Sequence, residues 1–540
     1  MIFALSALPL ITAVGAAVDY SSAGNIQSHL QADTDAAALL ACKSPLTADA
    51  DLKNIAQTAL NGYMPERTVT IASFKSTNNP RSIELKSQVT FPPRFIRLGN
   101  VSISSTANCA AGENNYEIAL VLDTTGSMSQ SAGTGTKIEA LRTAATNFVN
   151  TMYTSFDASR VKMSIVPFAA AVKVDAATYA PSGVPATTAT WLDTSGTSPI
   201  HWQNATNPSA SSFNNRFDLF RKLKAEQSSW GWAGCFESLP YPYNTQDVTP
   251  SSATAGTRYV PLLAPDEVGN TLTIFGFPIG TDTASTNSVN NYMDDGTASG
   301  GSCDKNNSNK TTRLGQACKY SDPRFTRSSE NGPNWGCTSR ALTRLTNVKQ
   351  TLLDEIGALT ANGQTNIAEG LHWGWRTVAK TGVFTEASDY GTVGTTKIII
   401  LMSDGVNTWN HETRFSNGTS TVNTITDSEY SAYGYFKNAD GSTAAGRFPT
   451  GTATPTTSAE ARTAMDKLVA ETCTNAKAKN VVIYSVAFST PGDAIDASGQ
   501  QLIQDCATGT GKYFLASDAS SLNSTFVAIA QGIGELRLTK

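Results

Sequence analysis

Basic clusters are missing from this 540-residue sequence. Charged residues make up 16%, the formal net charge is −4, and Lys and Arg never occur more than two in a row. That composition argues against nucleic-acid binding by phosphate neutralisation. Histidine is scarce, four in all, and the eight cysteines contain no C-x-x-C pair, so zinc-binding spacings are absent too. Neither G-x-S-x-G nor H-E-x-x-H is present. The one fragment resembling a phosphate loop, Gly509–Lys512 (GTGK), has Cys506 where the leading glycine belongs and follows no strand. A hydrolase or nucleotide-using enzyme therefore has no motif to rest on.

What is there begins with the cysteines themselves. Cys42, Cys109, Cys235, Cys303, Cys318, Cys337, Cys473 and Cys506 are even in number and widely spaced. That pattern suits disulfides formed in an oxidising compartment. The N-terminus agrees with export: Ile2–Val18 carries no charge, and Asp19 is the first charged side chain. The run is slightly short of the ~20 residues that span a bilayer. Two readings are open, an uncleaved transmembrane anchor over residues 1–18 and a cleaved export signal ending at Ala13–Ala17 (AVGAA). Both lack a basic flank, as though the true start lay upstream. The helical pattern continues straight through the boundary, which favours the anchor.

Asp19–Cys42 reads as that continuing helix, rich in Ala, Ser and Gln and free of Pro. A second helix is expected over Ala48–Tyr63, then strands over Thr68–Phe74, Ser82–Phe91 and Val101–Ser105. The segment GAAVDYSSAGNIQSHLQADTDAAALLA, with its V-D-Y and L-Q-A-D-x-D-A-A-A-L blocks, resembles the N-terminus of TadE/TadG-like Flp-pilus assembly proteins. The resemblance implies a pilin-like α+β segment over residues 19–110 and a place in the bacterial cell envelope. It also implies tight-adherence pili or envelope components as partners, with the body extracytoplasmic and anchored in the inner membrane.

From Tyr116 the chain alternates strands and helices, the mark of an α/β fold with a doubly wound, mainly parallel sheet. Ile118–Leu122 is a continuous apolar run, as in a strand buried on both faces. It ends on Asp123, followed by Thr125, Gly126 and Ser127. An amphipathic helix, Lys137–Thr154, and a strand, Val161–Phe168, come next. Alternation resumes at Ala341–Thr360, leaving about 175–340 as an insertion. Asn366–Lys380 is expected as a helix and Lys397–Met402 (KIIILM) as a buried strand, followed by a second insertion over about 407–455. Helix Ser458–Ala478, strands Val481–Ala487 and Lys512–Leu515, and a closing helix with Leu522, Phe526, Ile529, Ile533 and Leu536 on one face complete the chain.

Two further motifs stand where Asp123 needs partners. Gly363–Asn366 (GQTN) sets Thr365 at a helix start, and KIIILM runs into Ser403–Asp404–Gly405. In a parallel sheet both loops emerge at the edge where Asp123 stands. Asp123, Thr125, Ser127, Thr365 and Asp404 then offer two carboxylates and three hydroxyls, hard ligands for Mg²⁺ (or Mn²⁺ or Ca²⁺). D-x-T-G-S, G-x-T-N and S-D-G in this order resemble the metal-ion-dependent adhesion site of von Willebrand factor type A domains, here over residues 116–540 less the insertions. Thr125 stands where Ser is usual, and a Thr hydroxyl ligates equally well. The resemblance implies binding of a protein partner through an acidic residue, without catalysis. The alternative is a structural scaffold of the pilus machinery with a vestigial metal site.

The first insertion carries five of the eight tryptophans, Trp191, Trp202, Trp230, Trp232 and Trp335. They form either an aromatic recognition surface or the core of a small subdomain stapled by Cys235, Cys303, Cys318 and Cys337 as two internal pairs. Cys473 and Cys506 flank one strand and stand in position to pair across it. The histidines, His29, His201, His372 and His411, read as structural or solvated bystanders.

Overall fold

The computed structural model describes residues 2–533 except positions 45, 322 and 412 and the stretches 79–80, 96–98, 111–113, 207–212, 268–269, 275–276, 284–289, 294–308, 324–331, 417–418 and 423–424. Cys303 and Leu536, named above, lie outside the described residues. The chain forms two compact units, Met1–Asn114 with two short outlying stretches, and Asn115–Tyr153 with Ala158–Ala530.

In the first unit one helix, α1 (Ile2–Lys43), is followed by α2 (Asp49–Tyr63) and an antiparallel meander of β1 (Val69–Asn78), β2 (Arg81–Phe91) and β3 (Val101–Ala110). Leu30, Ala37, Ala38 and Ala41 of α1 meet Leu52, Ala56 and Leu60 of α2 and Ile83, Leu85 and Val89 of β2 in one core. Alanine lets the long helix lie close on the sheet, and Cys42–Cys109 ties its end to β3. The Asp of the V-D-Y block has a local duty, since both carboxylate oxygens of Asp19 accept backbone N–H groups, from Arg94 at 2.9 Å and Phe95 at 2.7 Å. Side chains of α1 are described from Ala13 onward. Among the described residues no helix is long and apolar enough to cross a membrane.

The second unit is built on a six-stranded sheet. In chain order its elements are β4 (Asn115–Asp123), α3 (Lys137–Ser155), β5 (Val161–Phe168), α4 (Arg216–Glu226), β6 (Thr343–Thr346), α5 (Lys349–Gly357) and α6 (Ile367–Val378). After these come β7 (Thr395–Ser403), α7 (Ser458–Ala478), β8 (Val482–Phe488), α8 (Ala497–Cys506), β9 (Tyr513–Ala516) and α9 (Ala519–Ile533). The strand order is β9-β8-β7-β4-β5-β6, parallel throughout except for β6 at the edge. The chain leaves β4 toward β5 and returns to β7 on β4's other side. The carboxyl ends of β4 and β7 are therefore neighbours, with Leu122 beside Met402, at the switch point where such sheets place ligands.

Both faces of the sheet are buried, which explains the unbroken apolar runs. Ala119, Val121, Val166, Phe168, Ile399 and Leu401 share a core with α6, while Ile118, Leu120 and Leu122, pointing the other way, are also buried. Gly370 and Gly374 let α6 lie close to the sheet. A Cβ on Gly374 would stand 2.2 Å from a Val121 methyl, and one on Gly370 2.7 Å from the Phe168 ring.

The first insertion is not a separate subdomain. Trp191, Trp230 and Trp232 are buried in the same core as Val121, Phe168 and Trp373, so these three are packing residues. The expected subdomain core is therefore not its own: the aromatic side chains of the insertion extend the core of the sheet. Cys235–Cys337 and Cys473–Cys506 are disulfides, and Cys318 is disulfide-bonded as well.

Candidate metal centre

Thr124–Ser129 leaves β4 in a tight turn that is fixed from both sides. Thr124 donates from its N–H and hydroxyl to the Phe168 carbonyl, at 3.0 and 2.9 Å, and the Gly126 N–H donates to the Gly363 carbonyl at 2.8 Å. The GQTN turn is thereby held against the DTTGS turn. Its own helix is capped by Asn366, whose side chain accepts from the Glu369 N–H at 3.2 Å.

The five candidate ligands are brought together at this edge. Asp123 is wholly buried, and its Oδ1 accepts from the Thr125 N–H at 2.9 Å and the Thr125 hydroxyl at 2.6 Å. The Thr125 and Ser127 hydroxyls are 3.0 Å apart, and Ser127 donates to Asp404 Oδ1 at 2.8 Å. Thr365 is buried, and its N–H donates to the Thr408 hydroxyl at 2.8 Å. A Cβ placed on Gly405 would be 3.7 Å from the Thr365 hydroxyl and 3.8 Å from that of Ser127, so both converge on one spot beside Asp404.

The cluster brings two buried carboxyls close together. Burial, and then the neighbouring Asp404 charge, push the Asp123 carboxyl up to about 7, against hydrogen bonds from Ser403 and Thr125 that pull it down. Burial raises Asp404 also, and Lys137 opposes this. The hydrogen-bond partners of Asp123 among the described residues are hydroxyls and one backbone N–H. A buried carboxylate facing a second carboxylate without a cation of its own is costly. An all-oxygen set of two carboxylates and three hydroxyls fits a hard dication. Among the described residues no group of three or more His, Cys, Asp or Glu could hold a metal, so any such site depends on the hydroxyls.

Other residues of the cluster were not among the five. Ser403 donates to Asp123 Oδ2 at 2.6 Å, and its place just before Asp404 was the available signal. Lys137 Nζ lies 2.9 Å from Asp404 Oδ2 and 2.7 Å from Asp493 Oδ2. Nothing in the amphipathic pattern of α3 marked that lysine as buried. The second insertion starts on the site: Thr408 is bonded to Thr365 in both directions, and Gln364 donates to Glu429. The Cys235–Cys337 staple ends beside it, with the Thr338 hydroxyl donating to the Asn362 carbonyl at 3.1 Å. Of the histidines, His201 is buried between Asp193 and the Arg216 N–H, and His372 bonds the Tyr259 hydroxyl at 2.6 Å.

Several solved structures are similar to this chain at low identity. The pilus adhesin SpaC from Lactobacillus rhamnosus GG aligns over 87% of this chain and 35% of its own, at 12% identity and a TM-score of 0.32. This chain thus spans about a third of the SpaC structure. The PilB minor pilin from Streptococcus sanguinis aligns over 87% of this chain and 78% of its own, at 11% identity and a TM-score of 0.31. The vWF domain of the type V pili tip protein Mfa5 from Porphyromonas gingivalis aligns over 78% and 95%, at 11% identity and a TM-score of 0.32. No curated protein matches the chain. Residues 1–50 match the family model described as putative Flp pilus-assembly TadE/G-like.

Proposed function

We propose that this chain is an envelope protein of tight-adherence pilus assembly or adhesion. Its larger unit is a von Willebrand factor type A domain that holds a divalent cation and, through it, a partner protein. Asp123, Thr125, Ser127, Thr365 and Asp404 would hold Mg²⁺ (or Mn²⁺ or Ca²⁺). Bound there, the ion supplies an electrophilic coordination position that an Asp or Glu of the partner completes. The residues of the chain orient that position, and no reaction follows. One observation carries this reading: Asp123 is a wholly buried carboxylate set against Asp404 with only hydroxyls and one amide to satisfy it. The family match over residues 1–50 supports the pilus context, and the disulfides suit an oxidising compartment; an N-terminal inner-membrane anchor over residues 1–18 and an extracytoplasmic body are part of the same proposal.

The scaffold reading has an observation of its own, since Lys137 already neutralises one of the two carboxylates. An Asp123→Ala allele in the source cell separates the two. Adhesion through the ion predicts normal protein levels with piliation or surface attachment lost. Unchanged piliation and attachment would leave the scaffold.

A further inference from the structure

Lys137 is placed where no lysine belongs on local grounds. It is the first residue of α3, at the positive end of the helix dipole, where a cation is disfavoured. It is also fully buried, which disfavours the charge again. Its two carboxylate partners are the charges that offset these costs among the described residues. Its Nζ is 2.9 Å from Asp404 Oδ2, 2.7 Å from Asp493 Oδ2 and 3.3 Å from the Asp493 carbonyl, and 5.9 Å from the centre of the Phe488 ring.

We infer that Lys137 sets the charge of the metal centre: it takes one oxygen of Asp404 and so limits how tightly a dication is held. The inference rests on reading the cluster as a divalent-cation site. Asp404 has two oxygens, one bonded by Lys137 and the other by Ser127. Among the described residues Asp123 has no such cation, so with both carboxyls ionised, as a dication would require, the buried core of the site carries one uncompensated negative charge instead of two. Asp493 is 41% exposed, and water screens its charge. A dication set against one net negative charge keeps a positive charge, which a single carboxylate of a partner matches. Lys137 thereby trades affinity for the metal against affinity for an acidic partner, and it keeps Asp404 compensated while the ion is absent.

The test is calorimetric titration of Mg²⁺ into the full chain and its Lys137→Gln and Lys137→Arg variants, with thermal melts of each in chelator and in Mg²⁺. Removing a unit charge beside the site should tighten Mg²⁺ binding by about tenfold or more in K137Q. K137Q should melt lower than the parent in chelator and recover in Mg²⁺, where the ion replaces the missing charge. K137R, which keeps the charge, should bind Mg²⁺ as the parent does. A purely structural lysine would lower both melts equally and leave Mg²⁺ affinity unchanged. That outcome, a K137Q that does not fold even in Mg²⁺, or a K137R as tight as K137Q overturns the inference alone, provided the parent binds. Binding by K137Q where the parent binds nothing supports it. Binding by neither parent nor K137Q overturns the metal-site reading and the inference together.

Discussion

Glu237 joins the two insertions to each other, and its replacement by Gln is a sharp perturbation of the larger unit. Arg216 comes from the first insertion and Arg447 from the second, and both guanidinium groups are buried with the Glu237 carboxylate between them. Arg447 Nη2 is 2.7 Å from Oε2, while Arg216 and the Tyr430 hydroxyl donate to Oε1. Burial disfavours the charged form, but Arg216 and then Arg447 outweigh it and hold this carboxyl below its usual range. Glu237→Gln leaves two buried guanidinium charges without a counter-charge. Removing one partner of a buried ion pair costs about 3–5 kcal/mol, a large share of the ~5–15 kcal/mol that stabilises a folded protein. The assay is urea unfolding at neutral pH followed by tryptophan fluorescence, since Trp191, Trp230, Trp232 and Trp373 share the core. The whole transition should move to lower urea. A loss under about 1 kcal/mol, or a second transition left unmoved, would refute the single shared core. Because the folded pKa is depressed, this contribution is complete above the ordinary carboxylate range and is lost as pH falls through the lower folded value.

Glu369 gives the opposite pH dependence. Burial raises it to about 7, against a hydrogen bond with Ser238 and the Arg447 charge, so its contribution is full below 4.5 and is lost as pH rises through about 7. Up to about 3 kcal/mol is at stake; Glu369→Gln should flatten urea stability between pH 5 and 8 in saturating Mg²⁺, and an unaltered slope would contradict the assignment. Cys473–Cys506 closes a separation of 33 residues; replacing both with Ala should cost about 3–4 kcal/mol, and an unchanged melt of the double variant would count against it. Gly374→Ala should cost about 1–3 kcal/mol by forcing α6 off Val121, and, since α6 begins just after Thr365, Mg²⁺ affinity should fall with it. An unshifted melt would show that the helix has room.

The sheet was legible because burial on both faces writes itself as unbroken apolar runs, Ile118–Leu122 and Ile398–Met402 among them. The candidate ligands were legible because each sits at a strand end or helix start with its own turn chemistry. Helix α8 was missed: Ala497–Cys506 has little apolar period, and it is held by the Asp496 cap and the Arg462–Asp496 pair. The short edge strand Thr343–Thr346 has the same cause, two register partners and little apolar pattern. A buried aromatic core was one of the two readings of the first insertion, but that it is shared with the sheet was not legible, because Trp191, Phe236 and Tyr259 meet Trp373 across long separations that no local period records. Lys137 was invisible for a related reason. Its partners, Asp404 and Asp493, lie 267 and 356 residues away.

The central claim is that the cluster at the ends of β4 and β7 holds a divalent cation. Titrating Mg²⁺ and Mn²⁺ calorimetrically into the oxidised full chain and its Asp123→Ala variant tests it most directly. The account predicts one saturable site in the parent and none in the variant. Equal binding by both would place the ion elsewhere, and no binding by either would contradict the claim.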